Sequence, residues 1–227
     1  MFEPATHIIF DFDGLLMDTE SCYSKATNQI AQSYGKTFDD GHKMQVIGLP
    51  PKLCSQRILD ILQLPLTLDQ FMSHVDEKVV EILPQVDLMP GSERLIRHFQ
   101  KHSIPMAIAT SSPSSKFVDK TRRYQELFHS GKYFSHFVLG DDPFVTKHKP
   151  HPEPYLVCAD RFDTKPERPS KVLVFEDSPI GAKAALDAGF QCVFVNSLLP
   201  LHSTINATLH LESLTEFNPS HFSLPPL

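Results

Sequence analysis

Two aspartates, Asp11 and Asp13, close a short apolar run, His7-Ile8-Ile9-Phe10, and Gly14 follows them at once. The run reads as a buried strand with a glycine turn behind it. Strand alternation turns Phe12 away and leaves Asp11 and Asp13 pointing the same way. Two like charges held that close are unfavourable unless a cation or a proton relieves them. The chemistry this predicts is a metal-assisted site, with one carboxylate as nucleophile and the other as acid/base.

Three further groups end later apolar runs: Thr110-Ser111-Ser112, Lys147-His148-Lys149-Pro150 and Glu176-Asp177. The set is then a carboxylate pair, hydroxyl donors, a lysine and a second carboxylate pair. Phosphoryl transfer to an aspartate needs that set, because an anionic phosphate must approach an anionic nucleophile. Unit charges about 4 Å apart repel by roughly 4 kcal/mol at an effective dielectric near 20. A lysine and a divalent cation cancel that repulsion, and ligation by carboxylate oxygens with room for water favours Mg²⁺.

The elements that must bring these groups together are short strands. Five apolar runs read as buried strands: His7–Phe10, Pro105–Thr110, His136–Leu139, Lys171–Phe175 and Gln191–Val195. Helical patterns lie at Gly91–His102, Pro154–Phe162 and Ile180–Ala188, the last with Pro179 at its start and Gly189 just past its end. Alternating strands and helices predict an α/β fold with a doubly wound parallel sheet, whose chemistry gathers at the carboxyl ends of the strands. From about Thr19 to Leu83 the pattern is helical throughout, with Ile58, Leu59, Ile61 and Leu62 in one helix and Phe71, Val75, Val79 and Ile82 in another. This predicts a small helical domain, residues 19–84, inserted after the first strand into a core of residues 1–18 and 85–227. Ala207–Leu211 is a candidate late strand, and Pro219–Leu227 reads as a proline-rich wrap or a frayed end.

The whole chain narrows the function classes. At 227 residues it is one large domain or a domain with a modest insert. A formal charge of −6 argues against general nucleic-acid binding. No apolar stretch approaches the ~20 residues that span a bilayer. No signal-peptide pattern opens the chain. Cys22, Cys54, Cys158 and Cys192 are spread without a metal-binding or disulfide pattern, which predicts a reducing compartment, the cytoplasm. The 19 prolines against 9 glycines predict stiff loops rather than a flexible linker.

Taken in order at strand ends, these groups resemble the haloacid dehalogenase (HAD) superfamily of phosphohydrolases. Asp11 to Glu20 is similar to its first motif, Thr110-Ser111 to its second, Lys149-Pro150 to its third and Glu176-Asp177 to its fourth. The resemblance implies roles. Asp11 attacks phosphorus and forms an aspartyl-phosphate. Asp13 protonates the leaving oxygen and then activates water. Thr110 and Ser111 hold phosphate oxygens, and Lys149 bridges Asp11 and the phosphate. Mg²⁺ is held by Asp11, the main-chain carbonyl of Asp13 and Asp177, with Glu176 close by. The helical insert corresponds to the family's mobile, substrate-selecting cap, where Gly48 and Lys52 fall at substrate-facing positions.

Branches of the superfamily separate on single residues. Asp13 argues against the true dehalogenases, which need no leaving-group acid. Tyr23 stands where the β-phosphoglucomutase-like enzymes carry a histidine, so hydrolysis is favoured over mutase activity. Longer stretches resemble the pseudouridine-5′-phosphatases: Leu62-Gln63-Leu64-Pro65, Met89-Pro90-Gly91, Val138 to Pro143, and Phe222-Ser223-Leu224-Pro225. That resemblance implies hydrolysis of pseudouridine 5′-phosphate or a similar nucleotide, with sugar phosphates or flavin mononucleotide as the near alternative. Two departures are His148, where the family has glycine, and the Leu49-Pro50-Pro51 loop.

Plainer readings stand beside these. Ser112, Ser114 and Ser115 read as helix-capping residues. Asp141-Asp142 reads as a turn before Pro143 rather than a metal pair. The cysteines read as small buried apolar groups. The expected partner is a small phosphorylated metabolite, with no nucleic-acid polymer, no membrane and a monomeric chain. A phospho-accepting signalling domain or a silent binding protein are the alternatives of a different class, and the helical insert together with Asp13 argues against the first.

Overall fold

The computed structural model describes residues 2–46, 49, 51–129, 131–196 and 205–227. It divides into two compact units, Met1–Met17 with Leu88–Leu227, and Asp18–Asp87.

The larger unit is built on β1 (His7–Phe10), β2 (Met106–Ala109), β3 (His136–Val138), β4 (Val172–Glu176), β5 (Gln191–Val195) and β6 (Leu209–Leu211). These form one sheet in the order β3-β2-β1-β4-β5-β6, and every ladder is parallel. Every residue of β1, β2, β4 and β5 is buried, which is why these strands read as continuous apolar runs rather than alternating ones. The expected strands lie where the pattern put them, within a residue or so at their ends, and β6 falls inside the candidate late strand. The direction of winding reverses beside β1, so the crevice of the sheet opens where β1 ends. Phe10 pairs with Ile108 on one side and Phe175 on the other, which carries Asp11 out between Ala109 and Glu176.

Helices cover this sheet. The inner stripe of α5 (Ser92–Lys101) buries Leu95, Ile96 and Phe99. Two helices follow β2, α6 (Ser114–Thr121) and α7 (Gln125–His129). The last two are α8 (Glu153–Asp160) and α9 (Pro179–Asp187), and Ser178 caps α9 by accepting from Gly181 N–H. The tail is a wrap, not a frayed end: Phe217 and Phe222 are buried, Ala5 N–H donates to the Phe222 carbonyl at 2.9 Å, and the Phe217 ring meets Phe175 edge-on at 4.8 Å.

The smaller unit carries the helices α1 (Thr19–Ser33), α2 (Asp40–Lys43), α3 (Pro51–Leu62) and α4 (Leu68–Ile82), here numbered before those of the sheet by chain order. Asp18 caps α1, and Thr67 with Gln70 forms a reciprocal capping box on α4. Ile30, Phe38, Ile58, Leu59, Leu62 and Phe71 make a core of its own. Lys52 is exposed in the first turn of α3. Gly48 and Pro50 lie outside the described residues.

Candidate active site

Asp11 leaves the end of β1 and is 7% exposed. Its N–H continues the ladder to the Phe175 carbonyl at 2.9 Å, so the backbone holds it in line with β4. Lys149 reaches it from the loop before α8 and donates to Asp11 Oδ1 at 2.6 Å, Glu176 Oε1 at 2.7 Å and the Ala109 carbonyl at 3.0 Å. Those three acceptors use all three ammonium protons. His148, in place of the glycine expected by resemblance, leaves this lysine in position. The loop is tied instead by Glu153, whose carboxylate accepts from the N–H groups of Thr146 and Lys147 at 2.5 and 2.6 Å.

Glu176 is fully buried and fully used. Oε1 accepts from Lys149 and from Tyr155 OH at 2.8 Å. Oε2 accepts from Asp177 N–H, Ser178 N–H and Ser178 Oγ at 3.0, 2.9 and 2.9 Å. Its task in this arrangement is to fix Lys149. Burial, then the Glu176 charge, raise the Tyr155 phenol well above its ordinary value, so Tyr155 stays a donor. Gly181 has to be glycine here, because a Cβ would lie 1.6 Å from Glu176 Oε1.

Burial raises the Asp11 carboxyl to about 7, against the opposing pull of Lys149. Burial alone would lower the Lys149 ammonium, but the charges of Asp11 and Glu176 hold it above its usual value. Among the described residues, Asp11, Glu176 and Asp177 form a group whose ligand oxygens lie within 4.8 Å of one another. Gly14, at φ +79°, makes this approach possible, since a Cβ there would meet Asp177 Oδ2 at 2.2 Å.

Asp13 does not join that group through its side chain. Its Oδ2 accepts from Ser112 Oγ at 2.7 Å and Thr110 Oγ1 at 3.2 Å, and Lys120 closes tightly on Oδ1. Lys120 also donates to Ser112 Oγ at 2.7 Å. The expectation for Ser112 is therefore corrected: its hydroxyl belongs to the Asp13 cluster and caps no helix. Ser111 is exposed beside it, and Asp141 serves the loop by accepting from Ser114 N–H and Oγ at 2.9 and 2.7 Å. Asp142 makes a bidentate pair with Arg161 and an Asx turn with Phe144 N–H, in keeping with turn duty. None of the four cysteines is in a disulfide, and three of them are buried.

Sequence reasoning missed Lys120, Tyr155 and Ser178. The available signal for Lys120 was a lysine three residues after Phe117 and one before Thr121, on the stripe of α6 that faces inward. The other two carry no signal until Glu176 is known to need donors.

Asp11, Asp13, Glu176 and Asp177 set four carboxylates against two buried lysines. Asp11, Glu176 and Asp177 gather about Lys149 with a net negative charge at one point, and an all-oxygen donor set of that charge suits a hard divalent ion. The residues present thus fit Mg²⁺.

The sequence profile of the haloacid dehalogenase-like hydrolases matches residues 8–195. A probable pseudouridine-5′-phosphatase of Drosophila melanogaster is 40% identical over 97% of this chain and 94% of its own. (DL)-glycerol-3-phosphatase 1, mitochondrial, of Arabidopsis thaliana is 38% identical over 97% of this chain and 74% of its own. Among solved structures, a putative β-phosphoglucomutase from Thermotoga maritima superposes with a TM-score of 0.72 at 31% identity, covering 90% of this chain and 93% of that one.

Proposed function

Because the chain belongs to the haloacid dehalogenase-like hydrolase family, we propose that it is a Mg²⁺-dependent phosphatase of pseudouridine 5′-phosphate or a similar nucleoside monophosphate. The chain is a phosphomonoester hydrolase that works through an aspartate nucleophile. The Lys149 contact with both Asp11 and Glu176 carries the phosphoryl-transfer chemistry, and the substrate rests on the 40% identical Drosophila melanogaster relative.

In this reading Asp11 attacks phosphorus in line while Lys149 offsets the phosphate charge. Asp13 gives its proton to the leaving oxygen and takes one from the water that later attacks the aspartyl-phosphate. Thr110 and Ser111 hold phosphate oxygens. Asp11, Asp177 and the Asp13 carbonyl would hold Mg²⁺, which would supply charge neutralisation at the transferring group. Glu176 completes the site by fixing Lys149 and Asp177 N–H. Residues 19–84 act as the cap that selects substrate, and Gly48 and Lys52 are its residues assigned to that selection. Cysteines outside any disulfide, three of the four buried, suit the reducing cytoplasm. Among the described residues no helix is long and apolar enough to cross a membrane.

A second substrate reading rests on the glycerol-3-phosphatase relatives, at 38% and 36% identity. The deciding experiment is phosphate release, with Mg²⁺ or excess chelator, from pseudouridine 5′-phosphate, uridine 5′-phosphate, flavin mononucleotide, glycerol 3-phosphate and sugar phosphates. A clear kcat/KM preference for pseudouridine 5′-phosphate, lost in chelator, is expected. Preference for glycerol 3-phosphate moves the specificity and keeps the chemistry, while full activity in chelator removes Mg²⁺ from the reading.

A further inference from the structure

The buried stripe of α6 is Phe117, Lys120 and Thr121, and a lysine there needs explanation. Its side chain is 4% exposed. Removing an ammonium from water costs several kcal/mol unless partners repay it. Lys120 finds two, Asp13 Oδ1 and Ser112 Oγ. It is well away in sequence from Lys149, and the two lysines share no acceptor.

We propose that Lys120 is a positioning residue for Asp13, which rests on the reading of Asp13 as acid and base. The ammonium fixes Oδ1 while the hydroxyls of Ser112 and Thr110 fix Oδ2, so the carboxyl plane is set by three donors, one on α6 and two on the segment between β2 and α6. The same helix grips the neighbouring residue: Phe117 packs on Phe12 with ring centroids 4.7 Å apart. Phe117 and Lys120 are one turn apart, so α6 holds two consecutive residues of the catalytic segment. The helix is itself anchored. Ser114 is bonded to Asp141 at its start, and Thr121 Oγ1 meets His129 Nε2 at 2.6 Å at its end.

The role has a chemical signature. In the first step the Asp11–phosphorus bond forms, the ester P–O bond breaks and the Asp13 proton goes to the leaving oxygen. In the second, water adds to phosphorus, its proton returns to Asp13 and the Asp11–phosphorus bond breaks. An alkoxide cannot leave without that proton, whereas p-nitrophenolate can. Misplacing Asp13 therefore slows the first step for alkyl esters far more than for an aryl ester. A residue that only supports the fold slows both alike.

The test is single-turnover aspartylation by the full chain with Mg²⁺, using glycerol 3-phosphate or the best alkyl ester found and p-nitrophenyl phosphate. Native protein, Lys120→Met, Lys120→Arg and Asp13→Ala are compared. General acids contribute about 10²–10⁴-fold, so Asp13→Ala should lose about that on the alkyl ester and much less on the aryl one. Lys120→Met should lose roughly ten- to a hundredfold on the alkyl ester and under about threefold on the aryl ester, with KM little changed. Lys120→Arg keeps the charge and should show the same bias, smaller in size. It carries the test if the methionine variant does not fold. Equal losses on both esters, or none, in Lys120→Met or in Lys120→Arg where methionine fails to fold, overturn the proposal while Asp13→Ala still discriminates. If Asp13→Ala itself shows no bias, the acid role of Asp13 falls and the proposal falls with it.

Discussion

The two aspartates of the first motif, two residues apart, sit in different electrostatic settings. The Asp11 side chain is 10% exposed and that of Asp13 is 30% exposed. Asp11 meets a lysine whose three protons are all assigned, and that lysine is locked by a glutamate held by four further donors. Asp13 meets a lysine and two hydroxyls that hold its carboxyl plane and leave it partly open to water. The contrast matches the tasks. A nucleophile needs a fixed line of attack and exchanges no proton with water during the reaction itself. An acid/base must recover a proton from water in every turnover. Burial suits the first and partial exposure the second.

The largest effect expected from breaking this contrast is on turnover. Asp11→Asn removes the attacking oxygen's charge and should lower kcat by roughly 10⁴–10⁶-fold, as losing a nucleophile does elsewhere. Phosphate release by a preparation of native circular dichroism measures it. A near-native rate would show that the buried carboxylate is not the one that attacks.

Stability should separate the two sides next. Lys149→Met leaves Glu176 buried and Asp11 without its cation. Breaking a buried pair costs about 3–5 kcal/mol, or roughly 6–20 °C in Tm for a chain of this size. Lys120→Met leaves a carboxylate that is 30% exposed and still bonded to Thr110 and Ser112. Water can screen it, so its Tm should fall by less than about half as much. Calorimetry of both variants without metal reads the difference. Equal losses would mean that the Asp13 side is as closed as the Asp11 side.

This division could be read only in part from the residues. The strands were legible because a parallel sheet buries both faces and so writes unbroken apolar runs, as in Val172–Glu176. The motif groups were legible because each sits at the end of such a run. What lay hidden was who faces whom. Periodicity places Asp11 and Asp13 on one side, yet β1 ends at Phe10, and the turn that follows sends the two carboxylates to different lysines. Ser112 looked like a cap because its hydroxyl precedes a helix, but tertiary contact with Asp13 outcompeted the local bond. Lys120 belongs to no motif, and only the packing of α6 on Phe12 and Asp13 gives it a purpose.

The smallest effect concerns protons and metal. In the protein without metal, burial raises the Asp11 carboxyl to about 7. Between an ordinary aspartate's value and about 7 the native state then holds a proton that the unfolded chain has lost. Stability of the metal-free protein should therefore fall as pH rises through that window, and Asp11→Asn should flatten the slope. A cation that binds this carboxylate must displace the same proton. Mg²⁺ titrations in buffers of different ionisation enthalpy should show about one proton released at pH 6 and close to none at pH 8, with affinity falling as pH drops below about 7. Proton release that does not change over this range would mean that Asp11 is already ionised without metal. Lys149 alone would then balance its charge, and the Asp11 side would owe less to the cation than its burial implies.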